Sequence, residues 1–150
     1  MRVFQGIDEV RAAAGSHLGT SEWHEISQAQ VDLFAEATGD HQWIHVDPER
    51  AASGPFGTTI AHGFLTLSLL PRLAAEVYTI EGVSMGVNYG CNKVRFPAPV
   101  PVGSRVRADV ELVSVEPNAL GYLVTARTTI EVEGGSKPAC VVESLAVVVP

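Results

Sequence analysis

A chain of 150 residues with 46% apolar and 18% charged side chains fits a single compact domain, residues 1–150, that buries roughly two-thirds of its unfolded surface. Its net charge of −7 argues against a nucleic-acid binder or a membrane-surface protein, both of which carry a basic face. Any anionic ligand must therefore be met by a local cluster of cations.

The amino-terminal segment carries Asp8, Glu9 and Arg11 where a signal peptide needs an unbroken apolar core, so a cytoplasmic protein is expected. Ser27 followed by Gln30 has the form of a capping box, and Val31, Phe34, Ala35 and Thr38 continue at helical spacing. This predicts a helix from about Ser27 to Thr38, ended by Gly39, with a loop over Asp40 to Val46. Asp47, Pro48 and Glu49 combine an N-cap side chain, a first-turn proline and a first-turn carboxylate, so a short helix should reach about Ser53.

Beyond Gly54-Pro55-Phe56-Gly57 lies His62 to Thr79, where Phe64, Leu65, Leu67, Leu69, Leu70 and Leu73 leave little polar surface on any side. A helix apolar nearly all round must be enclosed. Its apolar run stops at Pro71, with Arg72 and Glu76 following, far short of the roughly 20 residues of a membrane span. From Val83 the pattern changes to period two, clearest at Val106, Ala108, Val110, Leu112 and again from Leu120 to Val132, which predicts strands. The run Ala139 to Val149 is apolar on both faces apart from Glu143 and Ser144, as for a strand covered on each side. Turns are expected near Pro117-Asn118 and Gly134-Gly135. Cys91 and Cys140 lie far apart without CxxC spacing, so buried or partly buried thiols are expected, and neither a disulfide framework nor a metal site. Short helices, one long helix and then long strands make an α+β fold: an antiparallel sheet wrapped around a long central helix.

The segment most informative about chemistry is Phe34-Ala-Glu-Ala-Thr-Gly39-Asp40-His41-Gln42-Trp43-Ile44-His45-Val46-Asp47, followed by Gly57-Thr-Thr-Ile60-Ala61-His62-Gly63. Here the chain resembles the MaoC-like and NodN-like family of (R)-specific enoyl-CoA hydratases, hydratase 2, with the hot dog fold. Gly39, Asp40, His45 and Asp47 stand in register with the first part of the family pattern, and Ala61, His62 and Gly63 with the second. Lys93-Val-Arg95-Phe-Pro-Ala-Pro-Val-Pro-Val-Gly103 extends the likeness, which covers the chain from about Ser21. One step departs from it. Where the family usually has Asn-Pro, this chain has Gln42 and Trp43, which keeps an amide on a longer arm and loses proline's fixed backbone angle.

The resemblance implies a (3R)-hydroxyacyl-CoA dehydratase, or trans-2-enoyl-CoA hydratase, acting on fatty acyl thioesters. Adding water to an enoyl thioester needs a proton acceptor for the water, a proton donor for the alpha carbon and a stabiliser for an enolate-like oxygen. His45 would be the base that orients the water, and Asp40 would hold the same water and protonate the alpha carbon. The backbone N–H of Gly63, at a helix start, would face the thioester oxygen. Gln42 and His62 are candidate supports; Gln42 either orients the pair or satisfies loop backbone, and His62 either caps the helix or braces the loop. Coenzyme A enters as part of the substrate, no separate cofactor is implied, and the family pairs its subunits, so a homodimer is expected.

Lys93, Arg95, Arg105 and Arg107 either gather the phosphates of coenzyme A or sit on solvated strand faces. Trp23, Trp43, Phe64 and Leu67 either line an acyl channel or pack the core. Two other functions compete. An acyl-CoA thioesterase of this architecture would place a carboxylate on or near the central helix, and residues 60 to 75 contain none. A non-catalytic acyl-CoA-binding module would bind without turnover.

Overall fold

A computed structural model describes residues 1–150. The strands are β1 (Arg2–Phe4), β2 (Ser16–Thr20), β3 (His24–Glu25), β4 (Tyr78–Ile80), β5 (Met85–Arg95), β6 (Arg105–Asn118), β7 (Gly121–Val132) and β8 (Cys140–Val149). The helices are α1 (Ile7–Ala12), α2 (Gln28–Thr38), α3 (Trp43–Val46), α4 (Pro48–Ala52), α5 (Gly63–Ser68) and α6 (Leu70–Val77). The main sheet is antiparallel in the order β2-β6-β7-β8-β5, with β3 continuing along the β6 edge that β2 begins. β1 and β4 form a separate parallel pair.

Alternation on the strands decides which face holds the helix. Val106, Ala108, Val110 and Leu112 on β6 and Ile130 on β7 are fully buried, and the first three, with Ile130, pack with Leu65, Leu73 and Val77 of α5 and α6. A second cluster, Phe4, Val10 and Ala13 against Leu112, Val124 and Val148, fastens the amino-terminal segment to the far end of the sheet. β8 lies between β7 and β5 and exposes none of its residues fully, as its two-faced apolar pattern requires.

The capping box at Ser27 and Gln30 is formed in both directions, and Gly39 closes α2 in the left-handed region at φ 80. Such a cap is worth about 1 kcal/mol. Asp47 caps α4 as expected, its carboxylate accepting the Arg50 N–H at 3.0 Å.

Several expectations are corrected. The predicted loop over Asp40 to Val46 contains the single turn α3, closed by His45 N–H to the Gln42 carbonyl at 2.9 Å and Asp47 N–H to the Trp43 carbonyl at 3.1 Å. The long helix is two helices that end at Val77, before β4. Pro71 has no N–H to give to the turn before it, and the Leu69 N–H is shared between Leu65 and Thr66 carbonyls at 3.2 and 3.3 Å. Nor is it enclosed within one chain, because the sheet covers one side and Phe64 remains 70% exposed. The elements before residue 26 escaped prediction, being too short to show periodicity. Cys140 is buried, which pushes its thiol up to about 11, but Cys91 is exposed because β5 is an edge strand. No helix is long and apolar enough to cross a membrane.

Candidate active site

The site forms where α2 ends and α5 begins. Gly39 turns the chain out of α2 and delivers Asp40, whose carboxylate accepts the Gln42 N–H at 3.3 Å. The turn of α3 then carries His45 inward, where it is 7% exposed while Asp40 stays open to solvent. One ligand-type atom from each of Asp40, His45 and His62 lies within 4.8 Å of the others. The expected carboxylate and imidazole therefore do converge.

Backbone bonds hold the histidine. The segment Thr59–Ala61 runs extended, tied to the 100–102 segment by Ala61 N–H to the Val100 carbonyl at 2.8 Å and Val102 N–H to the Thr59 carbonyl at 2.9 Å. Ile60 N–H donates to the Ile44 carbonyl at 3.0 Å, and the Ile60 carbonyl accepts His45 Nδ1–H at 2.7 Å. A carbonyl can only accept, so Nδ1 carries the proton and Nε2 keeps a lone pair. Burial pushes the His45 imidazole below its ordinary 6.5; the Ile60 bond opposes this, His62 adds to it and Asp40 opposes it. The ring is thereby kept in its basic form to lower pH.

His62 stacks on His45, with ring centroids 3.9 Å apart and planes 24° apart, and is itself only 3% exposed. It makes no side-chain cap on α5. Its Nε2–H donates to the Asp40 carbonyl at 2.9 Å, and its Nδ1 has no partner. Of its two expected roles, the brace is the one formed. The three donors do not suit a metal ion: near-parallel stacked rings cannot both aim lone pairs at one ion about 2.0–2.1 Å away.

His45 and Gly63 line one cavity of about 290 Å³ with Phe56, Thr66, Phe96 and Val100, the largest side chains being apolar. The chain from β5 to β6 must cross β8 and β7, and in doing so its proline-rich segment 96–100 forms one wall. Gly63 lets the Phe96 ring approach closely: a Cβ there would stand 3.2 Å from it, a tight contact.

Other candidates fall outside. Gln42 contributes only backbone bonds and its side chain is exposed. Trp43 lies between the Arg50 guanidinium, 4.3 Å from its ring, and Gly54, where a Cβ would come within 3.0 Å; the bulk that replaces proline is absorbed away from the cavity. Trp23 packs under Arg107 on the outer sheet face, Phe64 is exposed against Phe96, and Leu67 packs on the core. Arg105 and Arg107 are paired with Glu133 and Glu131, while Lys93 and Arg95 on β5 have no carboxylate partner. Glu76, the one carboxylate on α5 and α6, sits at the far end of α6 and is held by His24 at 2.7 Å. The residues that sequence reasoning missed are Ile60, which acts through its carbonyl, and Phe56, Thr66 and Phe96, which only the crossing of distant segments brings to the cavity.

Residues 9–134 match the model of the MaoC-like domain family. The chain is 64% identical over 146 residues to 3-hydroxyacyl-thioester dehydratase Z of Mycobacterium tuberculosis, covering 97% of both chains. It is 48% identical over 134 residues to nodulation protein N of Rhizobium leguminosarum, covering 87% of this chain and 83% of that one. Among solved structures, the (R)-hydratase from A. caviae involved in PHA biosynthesis superposes with a TM-score of 0.74 at 28% identity, over 91% of this chain and 96% of that one. Given a family match over most of its length and a sheet folded about its central helix as in that hydratase, the chain belongs to the MaoC-like family and has the hot dog fold.

Proposed function

We propose that the protein is a (3R)-hydroxyacyl-CoA dehydratase and trans-2-enoyl-CoA hydratase, a hydro-lyase of fatty acyl thioesters. The observation that carries this reading is the convergence of the Asp40 carboxylate on an imidazole whose Nδ1 is locked to the Ile60 carbonyl, beside an apolar cavity. The relatives named a 3-hydroxyacyl-thioester dehydratase and an (R)-hydratase support it.

In hydration, His45 Nε2 takes a proton from the water as its oxygen bonds to the beta carbon. Asp40 gives a proton to the alpha carbon, and the next water returns the proton from His45 to Asp40. Dehydration reverses each transfer. The first N–H of α5, on Gly63, has no partner within its own helix and faces the negative charge that develops on the thioester oxygen. His62 supports the pair through the Asp40 carbonyl and the His45 ring. The reaction needs no resident cofactor, and coenzyme A arrives with the substrate.

A homodimer fits the same reading, since β5 leaves one flank of its backbone unpaired and exposes Met85, Val87 and Tyr89. The unpaired cysteines fit a reducing, cytoplasmic setting.

The test is crotonyl-CoA turnover, followed by loss of the conjugated thioester absorbance, with free thiol measured in parallel and the product resolved on a chiral column. The expected result is (R)-hydroxy product without thiol release, and loss of turnover in Asp40→Asn by about 10²-fold or more. Thiol release would instead indicate a thioesterase, (S) product would remove the stereochemical assignment, and full turnover in Asp40→Asn would remove the mechanism.

A further inference from the structure

Gln28, the first residue of α2, contacts the site although no motif includes it. Residues i and i+4 share a helix face, so its amide lies beside Asp32 on the first turn of α2. There Nε2–H donates to the His45 carbonyl at 2.8 Å and to Asp32 Oδ1 at 2.9 Å, while Oε1 accepts the Thr59 hydroxyl at 2.6 Å. The amide has one sensible orientation, since its NH₂ faces two acceptors and its oxygen faces a donor. Thr59 is buried, and its neighbour Ile60 provides the carbonyl that fixes the His45 ring.

We propose that Gln28, anchored by Thr59, is a positioning residue that holds His45 at its working distance from Asp40, with α2 as the strut between them. One end of the strut is covalent: Gly39 closes α2 and passes the chain directly to Asp40. The other end is the grip of Gln28 on the His45 carbonyl. The helix between them is about 16 Å long at 1.5 Å per residue, and its capping box fixes the first turn from which Gln28 projects. The grip ties the short turn α3, flanked by His45 N–H to the Gln42 carbonyl and Asp47 N–H to the Trp43 carbonyl, to the first turn of α2. Gln28 and Thr59 also join the turn carrying His45 to the extended stretch carrying Ile60, two segments tied by Ile60 N–H to the Ile44 carbonyl. The inference rests on the hydratase reading, since positioning presupposes the reaction.

Thr59→Val preserves shape and removes the donor; Gln28→Leu removes all three bonds. For each, kcat for crotonyl-CoA hydration is expected to fall about tenfold with KM changed by less than about twofold. The acid limb of the kcat/KM profile should move to lower pH, because a loosened Ile60 carbonyl supports the charged imidazole less. Thr59→Ser keeps the hydroxyl and should restore both values. The double variant should lose no more than the worse single one, since both act on one linkage. Wild-type kcat and pH profile in Thr59→Val would overturn the strut even with a lowered melting temperature, because a merely structural bond predicts that result. Thr59→Val alone decides the matter if Gln28→Leu does not fold. If Asp40→Asn keeps full turnover the hydratase reading fails; if it is inactive while Thr59→Val is unimpaired, only the strut fails.

Discussion

His41 and His45 belong to neighbouring turns of one segment yet titrate in opposite directions. His41 stands on the exposed rim, where Glu36 at 2.7 Å raises it above the ordinary 6.5; His45 lies on the buried floor, where loss of water lowers it. A nearby carboxylate is therefore not what makes a histidine basic enough or free enough for catalysis here. Burial and a backbone acceptor select the tautomer and keep a lone pair available, whereas the rim histidine is committed to its ion pair.

Four substitutions sharpen this contrast. His45→Ala should have the largest effect, a fall in kcat of about 10³-fold, with His41→Ala on the same segment near wild type in the same assay. His62→Phe keeps an aromatic ring against His45 but removes the donor to the Asp40 carbonyl and the repulsive neighbour. Turnover should fall about fivefold to tenfold, for one buried hydrogen bond. The acid limb of kcat/KM should move to higher pH, since His62 is among the groups that lower His45. An acid limb that stays in place would show that the floor is set by burial alone. Glu36→Gln should have the smallest effect: the His41 NMR titration midpoint falls toward 6.5 while kcat stays within about twofold, as expected for an exposed pair.

The same two groups act on stability with opposite sign. Between the folded value of His45 and 6.5 the unfolded chain binds more protons, so the contribution of His45 is complete above 6.5 and is lost as pH falls through that window. The contribution of His41 is complete below 6.5 and is lost as pH rises through its raised folded value.

Asp40, His45 and Gly63 were legible in the sequence because their spacing is local: a helix stop, a short turn and a helix start are each written in a few consecutive residues. Ser27, Gln30 and Gly39 likewise announce α2. The strands β6 and β7 show in their alternation because one face packs on the core, and β8 shows as an apolar run covered on both sides. What stayed hidden depends on distant segments meeting. The Ile60 carbonyl has no side-chain signature, Phe96 reaches the cavity only because β5 connects to β6 across two strands, and Trp43 is turned away by Gly54. The exposure of Phe64 was hidden for another reason: apolar composition reports that a face needs covering, and does not say whether the same chain supplies the cover. Pro71 did mark the helix break, although the apolar run through Leu70 masks it.

β5 has a consequence for handling the protein. Its eleven residues present an open row of amides and carbonyls, and such a row is a template on which other extended chains polymerise. Lys93 and Arg95 repel like edges, and the register slips at 88–90 and 91–93 spoil the flatness that stacking requires. Concentrated salt shortens the reach of those two cations to about 3 Å at 1 M, so a freshly translated, unassembled chain is most prone to fibrous precipitation in high salt.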